Sequence, residues 1–296
     1  MNVVAFQDIH RAYKRGVDVL DGITFSIEAG QVVGLVGKNG AGKTTLIRIA
    51  MGMIEPQRGA VALFGLDPRD KPLDVKKRVG YVSEDQILPP FLTIGEVIDL
   101  HRGLFHKWDD RMERDLRERF ELSRGAKIKN LSKGQARQVA LLCAVAHRPE
   151  LLLLDEPAGG LDPAARREFL ETSIHYLNEE GSTILFSSHH MTDVERLADR
   201  IVMIHQGKLL LDDALDSLQE NYSLALVPHG TNATRADLLR LDFCLGVRER
   251  PEALHAIFKK DPEQSQQSLE RELGISNGRC ATVALEEMFI ELVGGQ

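Results

Sequence analysis

The chain is 296 residues long and carries 37 basic and 44 acidic side chains, so its net charge at pH 7 is −7. This balance gives no electrostatic support for a protein that coats nucleic acid or is held on anionic lipid by charge. Its hydrophobic fraction of 43% and charged fraction of 27% are typical of globular domains and argue against disordered, fibrous and membrane-spanning classes.

Residues 1–30 alternate between apolar and polar side chains in the manner of β-strands. The strand candidates are 3–6 and 23–28, and the turn-like pairs Arg15-Gly16 and Asp21-Gly22 interrupt the pattern. This alternation predicts that the chain begins with antiparallel strands.

A glycine-rich loop follows the next strand candidate. Residues 31–36 form a nearly continuous apolar run, 45–51 have a helical pattern, and the segment Gly37–Thr44 (GKNGAGKT) before that helix fits GxxxxGK[ST]. In this context the N–H groups of the loop surround phosphate oxygens. Lys43 is predicted to reach the β- and γ-phosphates, and Thr44 to ligate Mg²⁺. The predicted nucleotide-binding residues of this segment are Asn39, Gly40, Ala41, Gly42, Lys43, Thr44 and Thr45.

Later apolar runs predict the rest of a parallel sheet. They lie at 151–154, 183–186 and 201–205, and helical patterns at 163–178 and 191–198 separate them. Strands that alternate with helices in this way form a parallel sheet with helices on its faces.

Two carboxylates follow the first of these runs. Ligands of open α/β sheets bind beyond the carboxyl ends of the strands, so Asp155 and Glu156 lie where chemistry is expected. Asp155 is predicted to hold Mg²⁺, directly or through water, and Glu156 to orient or deprotonate the attacking water. Without the glycine loop, the same acidic pair would indicate only a solvated turn.

The C-terminal part of the chain has a different pattern. After Leu211 the alternation of strand and helix is lost, and we place a domain boundary at 216–217. The segment 217–296 contains a strand candidate at 224–227, a polar stretch at 261–267 and an amphipathic helix at 284–293. It contains no set of residues that indicates chemistry.

A short motif, LSKGQ at 131–135, precedes a helical run at 136–147. Taken alone, it indicates only a helix with a serine N-cap. Its order and spacing among other features, however, make residues 1–215 resemble the ABC ATPases. The six features are Tyr13 before the glycine loop, the loop itself, LSKGQ in the place of LSGGQ, the strand ending in Asp155-Glu156, Leu161-Asp162 as the D-loop, and Ser187-Ser188-His189 as the switch-histidine segment.

The resemblance implies an α/β fold, the P-loop NTPase fold of ABC ATPases. It comprises an antiparallel β subdomain, a RecA-like parallel sheet core and a helical subdomain at about 88–147, and a small C-terminal α+β domain follows it. The ATPase domain would be 1–216, and the accessory domain 217–296.

The resemblance also implies roles for individual residues, with ATP and Mg²⁺ as cofactors. Tyr13 would stack its ring on adenine, and His189 would contact the γ-phosphate region and join Glu156 as a catalytic residue. The γ-phosphate of ATP held by another subunit would meet Ser132, Gly134 and Gln135. The implied assembly is a head-to-tail dimer with two composite sites, and because both halves of a site are intact here, a homodimer is favoured over a pair of paralogues.

Two positions depart from the family pattern. Glu84 replaces the glutamine that usually contacts Mg²⁺ and water; a carboxylate can serve there, and Gln86 is a neighbour that could substitute. Lys133 replaces a glycine, and it either approaches the γ-phosphate or is simply solvated. Both departures and the C-terminal tail are similar to exporter-type subunits of drug, antibiotic and polysaccharide transporters.

The resemblance therefore implies the ATP-hydrolysing subunit of an ABC exporter, on the cytoplasmic side of the membrane. It would bind a separate integral membrane subunit, and no nucleic acid is expected. The segment 85–100, with the apolar turn Pro89–Leu92, is predicted to receive a helix of that subunit, unless Phe91 and Leu92 pack into their own core. The alternatives are a soluble ABC ATPase of repair or translation, which needs a second cassette or an insertion, and a small-molecule kinase, which lacks LSKGQ.

Overall fold

The computed structural model describes residues 2–294 except 15, 86–87, 160, 162, 179–180 and 232, and it does not describe the side chains at 14, 163–165 and 175–178. The chain divides into two compact units, Met1–Asp212 and Asp213–Gln296. The sequence places the boundary a few residues later, at 216–217. Each unit has its own sheet and its own core.

The first unit contains an antiparallel sheet and a parallel sheet. Its strands are β1 (Asn2–Lys14), β2 (Val17–Glu28), β3 (Val32–Val36), β4 (Arg58–Leu63), β5 (Val79–Val82), β6 (Leu151–Leu154), β7 (Thr183–Ser188), β8 (Arg200–His205) and β9 (Lys208–Ala214). Its helices are α1 (Lys43–Ala50), α2 (Pro72–Lys76), α3 (Ile94–Leu104), α4 (Asp110–Arg119), α5 (Lys133–Val145), α6 (Pro163–Asn178) and α7 (Met191–Leu197), with a 3₁₀ turn at Ile128–Asn130.

The antiparallel sheet has the strand order β2-β1-β4. The turn predicted at Asp21-Gly22 is wrong, because β2 continues through this pair. Ile9 pairs with Ile23 and Arg11 with Leu20, so β2 contains one more residue than β1 between these two pairs. Gly22 has a φ of 75°, which a glycine adopts without strain, and the pair forms a bulge within the strand instead of a turn.

The parallel sheet has the strand order β5-β6-β7-β3-β8-β9 and matches the predicted core. β5, β6, β7, β3 and β8 run parallel to one another. β3, β6 and β7 are buried along their whole length, which explains the nearly continuous apolar sequences of β3 and β6 and the apolar run 184–186 within β7. Because β7 lies between β6 and β3, the segments that follow these three strands meet at one edge of the sheet.

One apolar core joins the two sheets and α1. It contains Phe6 and Ile23 of the antiparallel sheet, Leu35 of the parallel sheet, and Leu46 and Ile47 of α1, all at most 2% exposed. Each such side chain contributes about 1.5–3 kcal/mol through removal from water. This packing fixes the position of α1 and of the glycine-rich loop that precedes it.

The predicted helical segment at 88–147 contains α3, α4 and α5. Thr93 and Ser132 each form a capping box with the residue three positions later, which satisfies N–H groups at the start of α3 and α5. A buried carboxylate, Glu113, ties the segment together by accepting hydrogen bonds from Arg124 (2.9 Å) and the Trp108 indole (3.1 Å). Among the helices that the structure describes, none has the length and apolar character to cross a membrane.

The second unit is built on an antiparallel sheet with the strand order β11-β12-β10-β13. Its elements are α8 (Leu215–Asn221), β10 (Ser223–Pro228), α9 (Arg235–Leu239), β11 (Cys244–Glu249), β12 (Ala253–Phe258), α10 (Pro262–Leu273), β13 (Arg279–Thr282) and α11 (Leu285–Gly294).

The polar stretch predicted at 261–267 is the start of a helix, α10. The Asp261 carboxylate accepts the N–H of Gln264 at 2.9 Å and caps the helix, and Pro262 occupies its first turn. Leu269 is fully buried, whereas most of the remaining side chains face solvent. The sequence of α10 is predominantly polar and contains two large apolar side chains, Leu269 and Leu273, which explains why a search for apolar runs does not reveal the helix.

Candidate nucleotide site

The glycine-rich loop borders an open cleft. Gly42 precedes α1 with a φ of 108°, and a Cβ at this position would lie 2.6 Å from Leu20 Cδ2, so only glycine fits. Gly40 also has a positive φ, of 83°. The cleft has a volume of about 470 Å³, and its lining residues are Tyr13, Val19, Asn39, Gly40, Ala41, Gly42, Lys43, Thr44, Thr45, Glu84 and Glu156.

The Lys43 ammonium is buried at the centre of the cleft. Its Nζ donates to the carbonyl oxygen of Gly37 at 2.7 Å and lies 3.1 Å from Glu156 Oε1. The loop therefore directs the lysine toward the acidic residue that follows β6. Any phosphate that binds Lys43 must compete with this carboxylate.

Asp155 lies on the same edge and is almost completely buried. Its Oδ1 accepts hydrogen bonds from Thr44 Oγ1 at 3.1 Å and from Ser187 Oγ at 2.9 Å. Burial raises the pKa of Asp155 above its ordinary value, and these two hydrogen bonds partly oppose the shift. Its other oxygen, Oδ2, is also buried, and within the described part of the chain it has no hydrogen-bond partner.

This arrangement fits a Mg²⁺ ion that is held together with phosphate. Mg²⁺ in nucleotide sites uses one or two protein oxygens and completes its octahedron with phosphates and water. The Thr44 hydroxyl and the unpartnered Asp155 oxygen are oxygens of the kind that such an ion uses. Consistently, no cluster of three or more His, Cys, Asp and Glu side chains that could hold a metal occurs among the described residues.

Glu156 has an unusual backbone conformation and two side-chain partners. Its φ of 44° lies in the left-handed region, which is rare for a residue with a side chain. Its Oε1 faces Lys43, and its Oε2 lies 2.8 Å from His189 Nδ1. The residues that follow β3, β6 and β7 thus form a chain of contacts from lysine to glutamate to histidine.

Tyr13 and Glu84 lie at the margin of the cleft. The Tyr13 side chain is largely exposed, its hydroxyl is 3.3 Å from Thr45 Oγ1, and the Arg11 guanidinium lies 5.1 Å from its ring centroid. Glu84 is exposed, and its carbonyl oxygen accepts a hydrogen bond from the buried Arg137 guanidinium at 3.2 Å. Gln86, the suggested substitute for Glu84, lies outside the described residues.

The residues of the LSKGQ motif do not line the cleft. Ser132 Oγ accepts the Gln135 N–H at 3.1 Å, and Gln135 Oε1 accepts the Ser132 N–H at 3.0 Å. Lys133 is exposed, and a Cβ on Gly134 would lie 2.9 Å from Leu161 Cδ2. Asp162 of the predicted D-loop lies outside the described residues. One chain therefore brings together the glycine loop, the acids and His189, but not the motif.

Comparisons with known proteins identify the family. The family model described as ABC transporter matches residues 20–159. The ABC transporter ATP-binding protein NatA of Bacillus subtilis is 37% identical over 223 residues, which cover 73% of this chain and 88% of NatA. The chain belongs to the ABC transporter ATP-binding family.

Other ABC relatives extend the similarity. YtrB of Bacillus subtilis is 28% identical over 95% of both chains, so the match includes the second unit. Nod factor export ATP-binding protein I of Burkholderia lata is 34% identical over 74% of both chains. A solved ATP-binding subunit of an ABC transporter is 31% identical, covers 73% of this chain and 92% of its own, and superposes with a TM-score of 0.67.

These relatives confirm the function that the sequence predicts. The protein is an ATP-binding and ATP-hydrolysing subunit of an ABC transporter with the ABC ATPase fold. The alternative of a soluble ATPase of repair or translation is not favoured, because the matched relatives are transporter subunits.

The sequence pattern assigned no role of its own to Ser187, although it is the residue that contacts both acids. Its hydroxyl donates to Asp155 and accepts the Glu156 N–H at 2.8 Å. The signal that the sequence offers for Ser187 is its place near the end of β7, two residues before His189. Its contact with Asp155 depends on the register in which β7 pairs with β6.

Proposed function

We propose that this ABC subunit binds Mg²⁺ and ATP in the cleft and hydrolyses the ATP in a head-to-tail homodimer that drives a separate membrane subunit. The observation that carries the proposal is the convergence of Lys43, Asp155, Glu156 and His189 beyond three adjacent parallel strands. The ATPase function resides in residues 1–216, and 217–296 form an accessory domain.

In this mechanism the contacts that Lys43 makes with Glu156 are exchanged for contacts to ATP. The γ-phosphate replaces Glu156 as the ion-pair partner of Lys43, and the loop N–H groups at the start of α1 surround the β-phosphate. Mg²⁺, held by Thr44 and Asp155, supplies charge neutralisation on the phosphates when bound. Glu156 is then free to orient and deprotonate water, and His189 positions Glu156 and contacts the γ-phosphate.

Each site is completed by a second copy of the chain. The N-terminal end of α5 carries Ser132, Gly134 and Gln135 at partly or fully exposed positions outside the cleft. Such a helix end is a favourable place for an anion. We assign these residues, and the nearby Lys133, to the γ-phosphate of ATP bound by the partner, with Tyr13 on the adenine of the chain's own ATP.

Complementation tests this composite site. A Ser132→Arg chain retains the cleft and a Lys43→Ala chain retains the motif, so a mixture of the two contains one intact site per heterodimer. We expect each variant alone to lack ATP hydrolysis and the mixture to recover up to one site per dimer. If the mixture stays inactive although chromatography shows heterodimers, or if Ser132→Arg alone is fully active, the composite arrangement is wrong.

The proposed docking surface for the membrane subunit lies at the start of the helical segment. Phe91 is 73% exposed, and Leu100 and Leu104 of α3 are also exposed, which is unusual for large apolar side chains. Leu92 is half-buried and its carbonyl oxygen accepts the Ile128 N–H at 2.9 Å, so this residue also supports the fold. We assign Phe91 to the contact with a short helix on the cytoplasmic face of the membrane.

A matched pair of substitutions tests the docking surface. Phe91→Asp should abolish co-purification of the membrane subunit while ATP binding and the unfolding midpoint of the free chain stay unchanged. Leu73→Asp in α2 is the control, because Leu73 is 72% exposed but lies outside the segment 85–100 and outside α3. Retention of the membrane subunit by Phe91→Asp, or equal losses in both variants, would reject this surface.

We further propose that the transporter exports its substrate. The support is the similarity to a subunit named for Nod factor export. Vesicles containing the complete transporter test the direction: cargo should move away from the compartment that holds the ATPase subunit, and accumulation on the ATPase side would contradict export.

A further inference from the structure

Ser187 places a single hydroxyl between the two acids of the site. It is the penultimate residue of β7, and its side chain is 0% exposed. A buried hydroxyl must find partners for its proton and its lone pairs within the protein. Ser187 donates its proton to Asp155 Oδ1 at 2.9 Å and accepts the Glu156 N–H at 2.8 Å.

The register of the sheet produces this contact. In the parallel pair of β6 and β7, Leu154 lies opposite Phe186. The next residue on each strand is Asp155 and Ser187, so the two are adjacent where the strands end. The hydroxyl therefore lies on rigid sheet backbone, and this is the kind of support that holds an acidic side chain within a few tenths of an ångström.

The first consequence concerns the orientation of the Asp155 carboxylate. Its Oδ1 accepts two hydrogen bonds, from Ser187 and Thr44, so this oxygen is saturated with donors. The carboxylate plane is thereby fixed, and Oδ2 is left as the oxygen available to a cation. Residues that orient a metal ligand in this way typically affect metal affinity or activity by about 10–100-fold.

The second consequence concerns the backbone of Glu156. A residue with a side chain at a φ of 44° occupies a region that costs on the order of 1–3 kcal/mol unless the surroundings enforce it. Two hydrogen bonds enforce it here: the Glu156 N–H donates to Ser187 Oγ, and the Glu156 carbonyl oxygen accepts the Gly159 N–H at 3.0 Å. This turn directs the Glu156 side chain toward Lys43 and His189.

We propose that Ser187 is a positioning residue of the ATPase, whose hydroxyl orients the Asp155 carboxylate for a cation and holds the Glu156 backbone so that the Glu156 carboxylate lines the nucleotide cleft. The inference rests on the proposed function, in which Asp155 holds Mg²⁺ and Glu156 activates water. Ser187 itself does not touch the nucleotide, so it acts only through these two residues.

The central test is Ser187→Ala in the full chain. We expect kcat for ATP hydrolysis to fall by about 10–100-fold and the affinity for Mn²⁺ in the presence of ADP, measured by electron paramagnetic resonance, to fall by a similar factor. Binding of ADP without metal should not change, because Lys43 and the glycine loop are untouched. This division between metal-dependent and metal-free binding is not expected from a general loss of stability.

Ser182→Ala is the matched control. Ser182 is a buried serine that immediately precedes the same strand, at its opposite end, and its hydroxyl donates to the Pro149 carbonyl oxygen at 2.8 Å. The substitution removes one buried hydrogen bond, as Ser187→Ala does, but far from the carboxylates. We expect similar decreases in unfolding midpoint for both variants and normal kcat and Mn²⁺ affinity for Ser182→Ala alone.

Two more variants at position 187 separate the hydroxyl from its volume. Ser187→Thr keeps the hydroxyl and should retain most of the wild-type activity. Ser187→Cys keeps approximately the size of the side chain but forms only weak hydrogen bonds, so it should behave like Ser187→Ala. Wild-type kcat and Mn²⁺ affinity in Ser187→Ala, or equal activity of the Thr and Cys variants at matched stability, would overturn the inference. If Ser187→Ala unfolds at the assay temperature, the comparison of Ser187→Thr with Ser187→Cys decides the outcome.

Glu156→Gln in the same assays separates this inference from the proposed function. If Glu156→Gln hydrolyses ATP normally, the proposed role of Glu156 fails, whatever Ser187 does. If Glu156→Gln is inactive while Ser187→Ala is normal in both kcat and Mn²⁺ affinity, only the inference about Ser187 fails.

Discussion

Glu156→Gln is expected to tighten ATP binding while it stops hydrolysis. Glu156 Oε1 lies 3.1 Å from the Lys43 ammonium, and both groups are buried. At an effective dielectric constant near 20, opposite charges at this distance attract by about 5 kcal/mol, and ATP must overcome part of that attraction to bind Lys43. Replacing the Glu156 carboxylate by an amide removes the negative charge that competes for Lys43 and repels the γ-phosphate. We therefore expect roughly 10–100-fold tighter binding of ATP.

Hydrolysis in the same variant should fall by about 10²–10⁴-fold, because an amide cannot accept the proton of the attacking water. ATP affinity is measured by calorimetry and turnover by phosphate release. Dimer trapping also raises apparent affinity, so the binding experiment is repeated with Ser132→Arg added, which blocks the composite interface.

Glu150→Gln is the control for Glu156→Gln. It removes an exposed carboxylate that pairs with Arg78 at 2.7 Å, just before the opposite end of β6. We expect normal binding and turnover from this control. Unchanged or weaker ATP binding by Glu156→Gln in the Ser132→Arg background would refute competition for Lys43, and normal turnover would refute the role of Glu156.

Three further outcomes are expected. Lys43→Ala should weaken ATP binding by roughly 10–150-fold in calorimetry, because it removes a charge-assisted hydrogen bond to phosphate; unchanged affinity would contradict the assignment of the loop. Burial raises the pKa of Asp155 above 3.8, so the free energy of unfolding falls as pH rises through the folded pKa and the carboxylate becomes charged. Asp155→Asn should therefore raise the unfolding midpoint at pH 7 but not at low pH, and it should abolish Mg²⁺-dependent hydrolysis. Burial lowers the pKa of His147 from 6.5 to about 4, so roughly 3 kcal/mol of stability should be lost as pH falls through this interval, and His147→Phe should flatten the loss in chemical denaturation.

The part of the site that depends on local sequence could be predicted, and the part that depends on strand register could not. Gly42 and Lys43 are neighbours in a motif whose glycines determine the loop conformation, so their positions follow from the sequence alone. Asp155 and Glu156 follow from the rule that ligands bind beyond strand ends. The contact between Asp155 and Ser187 arises only because Leu154 pairs with Phe186, and no pattern within either strand specifies that register.

The fold was predictable wherever hydrophobic periodicity was strong. The buried strands β3, β6 and β7 contain apolar runs of three or more residues, and the structure places strands at all three. Gly22 was misread as a turn because a glycine beside an aspartate indicates a turn and a bulge equally well. The helix α10 was missed because its sequence is predominantly polar, although Leu269 and Leu273 pack in the core of the second unit.

The isolated chain leaves hydrogen-bond capacity at the start of α5 that its own cleft does not use. The Ser132 hydroxyl accepts the Gln135 N–H, which leaves its proton available to an external acceptor. The N–H groups of the first turn of α5 have no acceptor within the helix, and the Ser132 cap satisfies only part of that turn. An anion with several oxygens would accept hydrogen bonds from all of these groups, and Lys133 would add a positive charge next to the anion. These residues do not line the cleft that contains the chain's own Lys43. We therefore propose the γ-phosphate bound by a second copy of the chain as the anion that accepts their hydrogen bonds.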